Sequence, residues 1–112
     1  IGEPAANPYL FIASQMAAGL DGMARKAEPW PADDEPYEAD RPLLPATLPD
    51  ALTALDKSAL FREQFGDTYI DYYIALKNAE YGRYESYVKD HAPDDAGNGV
   101  SQWEQNEYFD FF

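Results

Sequence analysis

The chain contains no cysteine and a single histidine, His91, among its 112 residues. Without cysteine, disulfides and thiolate metal sites are excluded. A reducing cytoplasm is the simplest compartment to expect. Basic residues are also scarce: 8 Lys and Arg stand against 21 Asp and Glu, a formal net charge of −13. A surface that negative repels nucleic-acid phosphates and anionic lipid headgroups, so neither nucleic acid nor membrane is expected as a partner. The simplest role of the acidic excess is solubility. Long apolar runs are missing as well: Leu10 to Ala18 is interrupted by Ser14 and Gln15 and is too short to span a bilayer. The opening Ile1-Gly2-Glu3-Pro4 has neither the basic segment of a secretory leader nor an initiator Met. A piece of a longer product is therefore expected. No segment alternates with the period of two that marks a strand, and no internal repeat is visible.

What is present is material for packing, since 46 % of the residues are hydrophobic and 15 % aromatic. Asn7-Pro8 predicts a helix start, an Asn cap followed by Pro in the first turn. The helix should run from Tyr9 to about Lys26, with Leu10, Ala13, Ala17, Leu20 and Ala24 at helical spacing and Ile12, Met16 and Met23 beside them. So broad a stripe predicts burial on most of the circumference. Ala13, Ala17, Ala18, Gly19 and Gly22 would permit close backbone approach, and an Asp at position 20 would be expected to prevent folding. From Ala27 to Ala46 five prolines and many acids exclude helix and predict an extended surface loop. Trp30, Tyr37, Leu43 and Leu44 are its expected anchors.

Thr47 is placed to cap a short helix, answered by Asp50, with Leu48, Leu52 and Leu55 as its buried stripe. Ser58 to Phe65 predicts another short helix, stopped by Gly66. Asp67 is expected to cap a long helix reaching about Lys89. Its stripe is Ile70, Tyr73, Ile74, Lys77, Tyr81, Tyr84 and Val88, with Leu76 at the margin. The Lys77 stem would lie along apolar surface with its head in water. His91 to Val100 is turn chemistry. Ser101-Gln102-Trp103-Glu104 is a capping box opening a last helix. Trp103, Tyr108, Phe109, Phe111 and Phe112 then crowd the end. A domain this small cannot enclose so much aromatic surface. Trp103, Tyr108, Phe109 and Phe112 are therefore expected to pack against another part of a larger protein or another subunit.

Catalytic constellations are missing. His91 lies in a Gly- and Asp-rich loop, where a solvated surface role is expected. Gly97-Asn98-Gly99 has no following Lys and no preceding strand, so it is not a phosphate loop. Asp94, Asp95 and Asn98 lack the spacing and closing Glu of a calcium loop. Asp33-Asp34-Glu35 reads as a solvated charge run. No catalytic, cofactor-binding or metal residue is assigned to the chain, and by itself it is expected to bind neither ATP nor Mg²⁺.

Two blocks do match a family. Ala5-Ala6-Asn7-Pro8-Tyr9-Leu10, followed by Ala17-Ala18-Gly19-Leu20-Asp21-Gly22, resembles the segment just after the catalytic core of glutamine synthetases. Tyr73 to Glu80, with Trp103 to Phe109, is similar to the end of the subgroup that joins glutamate to amines, γ-glutamyl-polyamine synthetases among them. Pro45 to Leu55 fits the family's loop-to-helix passage. The resemblance implies that residues 1–112 are the C-terminal, mainly helical portion of an α+β catalytic domain, packed behind a funnel of antiparallel strands. It also implies a parent that uses ATP and Mg²⁺ (or Mn²⁺) to activate glutamate as a γ-glutamyl phosphate, which ammonia or an amine then attacks. The implied partners are the remainder of that ligase and further subunits of a homo-oligomer. Lys89 to Val100 reads as an insertion relative to the family. Tyr37 lies in the loop where some bacterial members are adenylylated, but Glu35-Pro36 and Glu38-Ala39 do not reproduce that motif, so an anchoring role is expected. The alternative is a non-catalytic acidic helical interaction module.

Overall fold

Capping chemistry sets where each helix begins. A computed structural model describes residues 6–32, 34, 42–91 and 101–108, and within them the protein is mainly helical with no strand. Helix α1 spans Pro8–Ala24. The Asn7 carboxamide oxygen accepts from the Tyr9 and Leu10 amides at 3.0 and 3.1 Å, which satisfies two donors that the first turn leaves open. The helix ends two residues before the expected Lys26. Arg25 is its C-cap and Lys26 adopts a φ of 53°, a left-handed stop that no longer extends the helix.

Helix α2, Leu48–Asp56, starts at Thr47, whose hydroxyl accepts from the Asp50 amide and donates to the Asp50 carboxylate at 2.6 Å. Its expected stripe holds: Leu52 is buried and Leu55 half-buried, with Leu48 at the exposed edge. Helix α3, Ala59–Phe65, is capped by Ser58 and closed by Gly66. Helix α4, Asp67–Asp90, is the longest. Here the expected cap is corrected. Gly66 at φ 85° is the N-cap of α4 as well as the C-cap of α3, and Asp67 is already the first helical residue. The Asp67 carboxylate is held by Arg62 instead of capping the turn. Helix α5, Gln102–Tyr108, opens on the predicted capping box. Ser101 Oγ accepts from the Glu104 amide, while Glu104 Oε2 takes the Ser101 amide at 2.8 Å and its hydroxyl at 2.9 Å.

Helices α1 and α4 both pack on α3, and α2 packs on α4. Among the described residues Ala17, Leu52 and Ile70 are the buried hydrophobic ones, one from each of α1, α2 and α4, and Ile70 is 2 % exposed. That is a small core. The Cα radius of gyration is 17.0 Å, against about 13 Å for a compact domain of this length.

The expected burial of α1 is therefore corrected. Leu10 and Ala13 are half-buried and Ala17 is buried, but Leu20 is 58 % and Met23 70 % exposed, with Ile12 and Met16 also open. No atom outside the helix lies within 4 Å of a Cβ built on Gly19 or Gly22. In this chain an Asp at position 20 would stay hydrated and would not block folding. Two of the expected loop anchors, Leu43 and Leu44, need the same correction. Leu43 is 94 % exposed and Leu44 89 %, and no described element covers either. Asp33 and Tyr37, like the 92–100 turn, lie outside the described residues.

Candidate functional site

Two features stand out on the described surface, a polar clasp that holds α5 and an apolar groove next to it. The clasp begins with Trp103, which the capping box aims back at α4. Its ring meets Tyr84 edge-on, with centroids 5.4 Å apart, and packs against Tyr108 at 87° and 6.3 Å. One turn further along α5, Glu107 pairs with Arg83, and the Tyr108 hydroxyl donates to Glu80. Lys77 completes the cluster: its ammonium sits 2.8 Å from Glu80 and 5.7 Å from the centre of the Tyr108 ring. The Lys77 head, expected in water, thus has two partners, while its stem lines apolar surface as foreseen.

The ionisation of these groups follows from the packing. Partial burial of Tyr108, and then its bond to Glu80, raise the phenol above its ordinary value. Burial alone would raise Glu80, but hydrogen bonds from Lys77 and Tyr108 overcome it and hold the carboxyl below its usual range. The clasp thus favours the Glu80 carboxylate and the neutral Tyr108 phenol.

The groove lies where α1, α3 and α4 converge. It is open to solvent, has a volume of about 580 Å³, and is walled by Leu10, Phe11, Phe61, Phe65, Tyr73 and Leu76 among others. Its floor is a ladder of rings crossing the Gly66 break: Phe61 to Phe65 at 6.0 Å, Phe65 to Tyr69 at 6.1 Å and Tyr69 to Tyr73 at 6.3 Å. Desolvation here, with a smaller contribution from Tyr73, raises the Tyr69 phenol. Lys77 is the charged lining residue among those described, at the end nearest Tyr108.

Behind the break, Arg62 ties three helices together. It donates to the Asp56 carbonyl at 2.7 Å and pairs with the carboxylates of Asp56, Asp67 and Asp71. Hydrogen bonds to Asp67, Asp71 and Asp56, in that order, raise its pKa further. These acids could have resembled a metal site, but the guanidinium takes their place as the counter-charge. Among the described residues no group of three or more His, Cys, Asp or Glu is placed to hold a metal ion.

The expected assembly residues divide. Trp103 and Tyr108 come together on α4, and Phe109 and Phe112 lie outside the described residues. His91 is exposed, as expected, and stacks on Tyr87 with centroids 3.9 Å apart. Sequence reasoning missed Arg62, Glu80 and the Arg83–Glu107 pair. The Arg62 contacts cross a helix break, and Tyr108–Glu80 and Arg83–Glu107 reach between distant helices, so helical spacing carries no trace of these; the Lys77–Glu80 pair, three residues apart on α4, was open to it. No described helix is long and apolar enough to cross a membrane.

Comparison with known proteins places this architecture. Residues 1–94 match the family described as glutamine synthetase, catalytic domain. The chain is 47 % identical over 110 residues to gamma-glutamylanilide synthase of an Acinetobacter species, covering 97 % of this chain and 22 % of that protein. It is 35 % identical over 117 residues to glutamine synthetase of Pyrococcus abyssi, covering 96 % of this chain and 26 % of the relative. Human lengsin is 39 % identical over 83 residues, covering 71 % of the chain and 16 % of lengsin. The chain belongs to the glutamine synthetase catalytic-domain family, and it spans about a quarter of the length of the first two relatives. No solved structure matches it.

Proposed function

We propose that the chain is the C-terminal helical section of an ATP-dependent glutamate–ammonia or glutamate–amine ligase, acting in the packing and assembly of the parent. The observation that carries this is the match of nearly the whole chain to less than a third of proteins named gamma-glutamylanilide synthase and glutamine synthetase. The exposed faces support it. Pro4 to Leu20 holds no charged residue, and the outer side of α1 presents Ile12, Met16, Leu20 and Met23. Such charge depletion is typical of surfaces that other parts of a protein cover.

In this reading ATP and Mg²⁺ (or Mn²⁺) bind elsewhere in a cytoplasmic parent, and the chain supplies no catalytic group. Trp103, Tyr108, Phe109 and Phe112 act in packing, against the rest of the ligase or a neighbouring subunit of a homo-oligomer. The acceptor is an amine. Aniline heads the candidates because of the relative named gamma-glutamylanilide synthase, followed by polyamines and ammonia.

The test is ATP-dependent γ-glutamyl transfer by the full-length protein, assayed with glutamate, Mg²⁺ and each amine in turn. Calorimetry of the isolated chain with ATP, Mg²⁺ and glutamate runs alongside. Turnover by the full-length protein and no heat from the isolated chain are expected. A full-length protein inactive with every amine would favour the interaction-module alternative. A stoichiometric micromolar ATP site on the isolated chain would overturn the assignment of chemistry to the remainder.

A further inference from the structure

Backbone hydrogen bonding lapses where α3 meets α4. The Gly66 amide donates to the Arg62 carbonyl at 2.9 Å, and the Ile70 amide donates to the Gly66 carbonyl at 3.1 Å. Between them Asp67, Thr68 and Tyr69 make no bond back to Glu63, Gln64 and Phe65, because Gly66 is extended at φ 85° and ψ 144°. A helix running straight through would make all three. Little else in the stretch opposes one. No proline lies between Pro49 and Pro93, and a glycine weakens a helix interior without breaking it.

Arg62 distinguishes the two forms. It reaches back to the carbonyl and carboxylate of Asp56, and forward past the break to Asp67 and Asp71. In a continuous helix Asp71, nine residues on, would lie about 13.5 Å along the axis and on the opposite side from Arg62. The forward contacts therefore require the bend. The ring ladder does not, because Phe61, Phe65, Tyr69 and Tyr73 follow at four-residue spacing and would share a face in either form.

We propose that α3 and α4 are the arms of a hinge at Gly66, latched by Arg62, whose released form is one helix from Ala59 to Asp90. Release makes the three backbone bonds and separates the carboxylates of Asp67 and Asp71 from Asp56. The latch and the packing of α1 on α3 hold the bent form. The groove depends on the bend, since α1, α3 and α4 all contribute to its lining. Bringing α3 into line with α4 carries Phe61 and Phe65 away from Leu10 and Phe11, so the latch decides whether the groove exists. Ionic strength is the signal such a hinge reads. The three carboxylates are 57, 76 and 64 % exposed, and exposed ion pairs weaken as salt screens them.

The chain has no cysteine, so Ala59→Cys with Ala79→Cys, both at exposed positions, takes two spin labels without background. In a continuous helix the two Cα atoms stand about 30 Å apart, and a bend at Gly66 brings them closer. Double electron–electron resonance on the 112-residue chain should show the shorter separation alone at low salt. At about 1 M salt, where the screening length falls to about 3 Å, the longer separation should appear beside it. Arg62→Met should show the longer separation already at low salt, with undiminished helical circular dichroism. Asp67→Asn with Asp71→Asn, which keeps Arg62 but removes its forward partners, should do the same. A short separation that survives in both variants would overturn the proposal, because packing alone would then hold the bend. Loss of helicity in both would overturn it as well, since the released form is helical. So would a separation that ignores salt. None of these readouts involves ligase activity, so failure here and failure of the ligase assay are separate results.

Discussion

At the scale of single residues, the clasp is where charge and packing meet, and its pH dependence follows from the signs of two shifts. The Glu80 carboxyl is held below its ordinary 4.5, so its contribution to α5 docking is present above that value and lost as pH falls through the lowered one. The Tyr108 phenol is raised above its ordinary 10, so its contribution is present below pH 10 and lost as pH rises toward the raised value. Docking should therefore be strongest between these limits. Trp103 fluorescence in a Trp30→Phe background would follow it, and a trace that is flat below pH 5 would contradict the Glu80 assignment. Glu80→Gln should remove the acid-side transition and move the alkaline one to lower pH, because part of the rise of the Tyr108 phenol comes from Glu80. Arg62 makes a different point. Arg62→Met leaves Asp56, Asp67 and Asp71 close together without their counter-charge, so the melting temperature should fall and be partly restored by lowering the pH. A melting temperature that falls but does not recover in acid would mean that Arg62 acts through packing of its stem.

At the scale of elements, local chemistry was readable and long-range chemistry was not. The caps at Asn7, Thr47 and Ser101 are short-range devices, each made within three residues, and each is found where the sequence places it, whereas Ser58, read as the first helical residue, is the cap of α3. Gly66 was legible as a stop but not as the start of the next helix. Asp67 has the residue type of a cap, and nothing in the spacing reveals that Arg62 takes its carboxylate. The groove was half legible: the helix stripes named Leu10, Ile70, Tyr73 and Lys77, with Leu76 at the margin, whereas Phe61, Phe65 and Tyr69 join it through tertiary placement. Gly66→Ala isolates the backbone contribution, since among the described residues nothing beyond its chain neighbours lies within 4 Å of the added Cβ while φ stays at +85°. The cost should be about 1–3 kcal/mol by urea unfolding, the price of a conformation nearly confined to glycine. A smaller change would mean that the α3–α4 junction relaxes to another geometry. Ser101→Ala should weaken docking of α5 by about 1 kcal/mol, through loss of the cap. Trp103 fluorescence would report it, with the far-ultraviolet circular dichroism of α4 unchanged.

At the scale of the whole molecule, sequence and structure differ most over α1, and the difference has one physical source. Helical periodicity records every surface that a helix buries in its native protein, whether or not the covering element belongs to the chain at hand. The stripe from Leu10 to Ala24 therefore predicted full burial. Leu10, Ala13 and Ala17 face elements of this chain, and Leu20 and Met23 face none that is described. The chain spans about a quarter of the first two relatives, and under the packing role proposed above the remainder of the parent covers the outer face. Leu20→Asp distinguishes the two contexts. In the isolated chain the new carboxylate is hydrated, so the melting temperature should change by no more than about 2 °C, within the ±0.5 kcal/mol usual for exposed sites. In the full-length protein the same change removes roughly 1.5–3 kcal/mol of apolar burial and places a charge in a dry interface. Loss of soluble assembly, or a fall of many degrees in its melting temperature, is expected there. Size-exclusion chromatography and differential scanning fluorimetry on matched pairs would read both. If the full-length variant assembles and melts like its parent, the outer face of α1 is solvent-exposed in the ligase too, and the packing role proposed for this chain must rest on α5 and the groove alone.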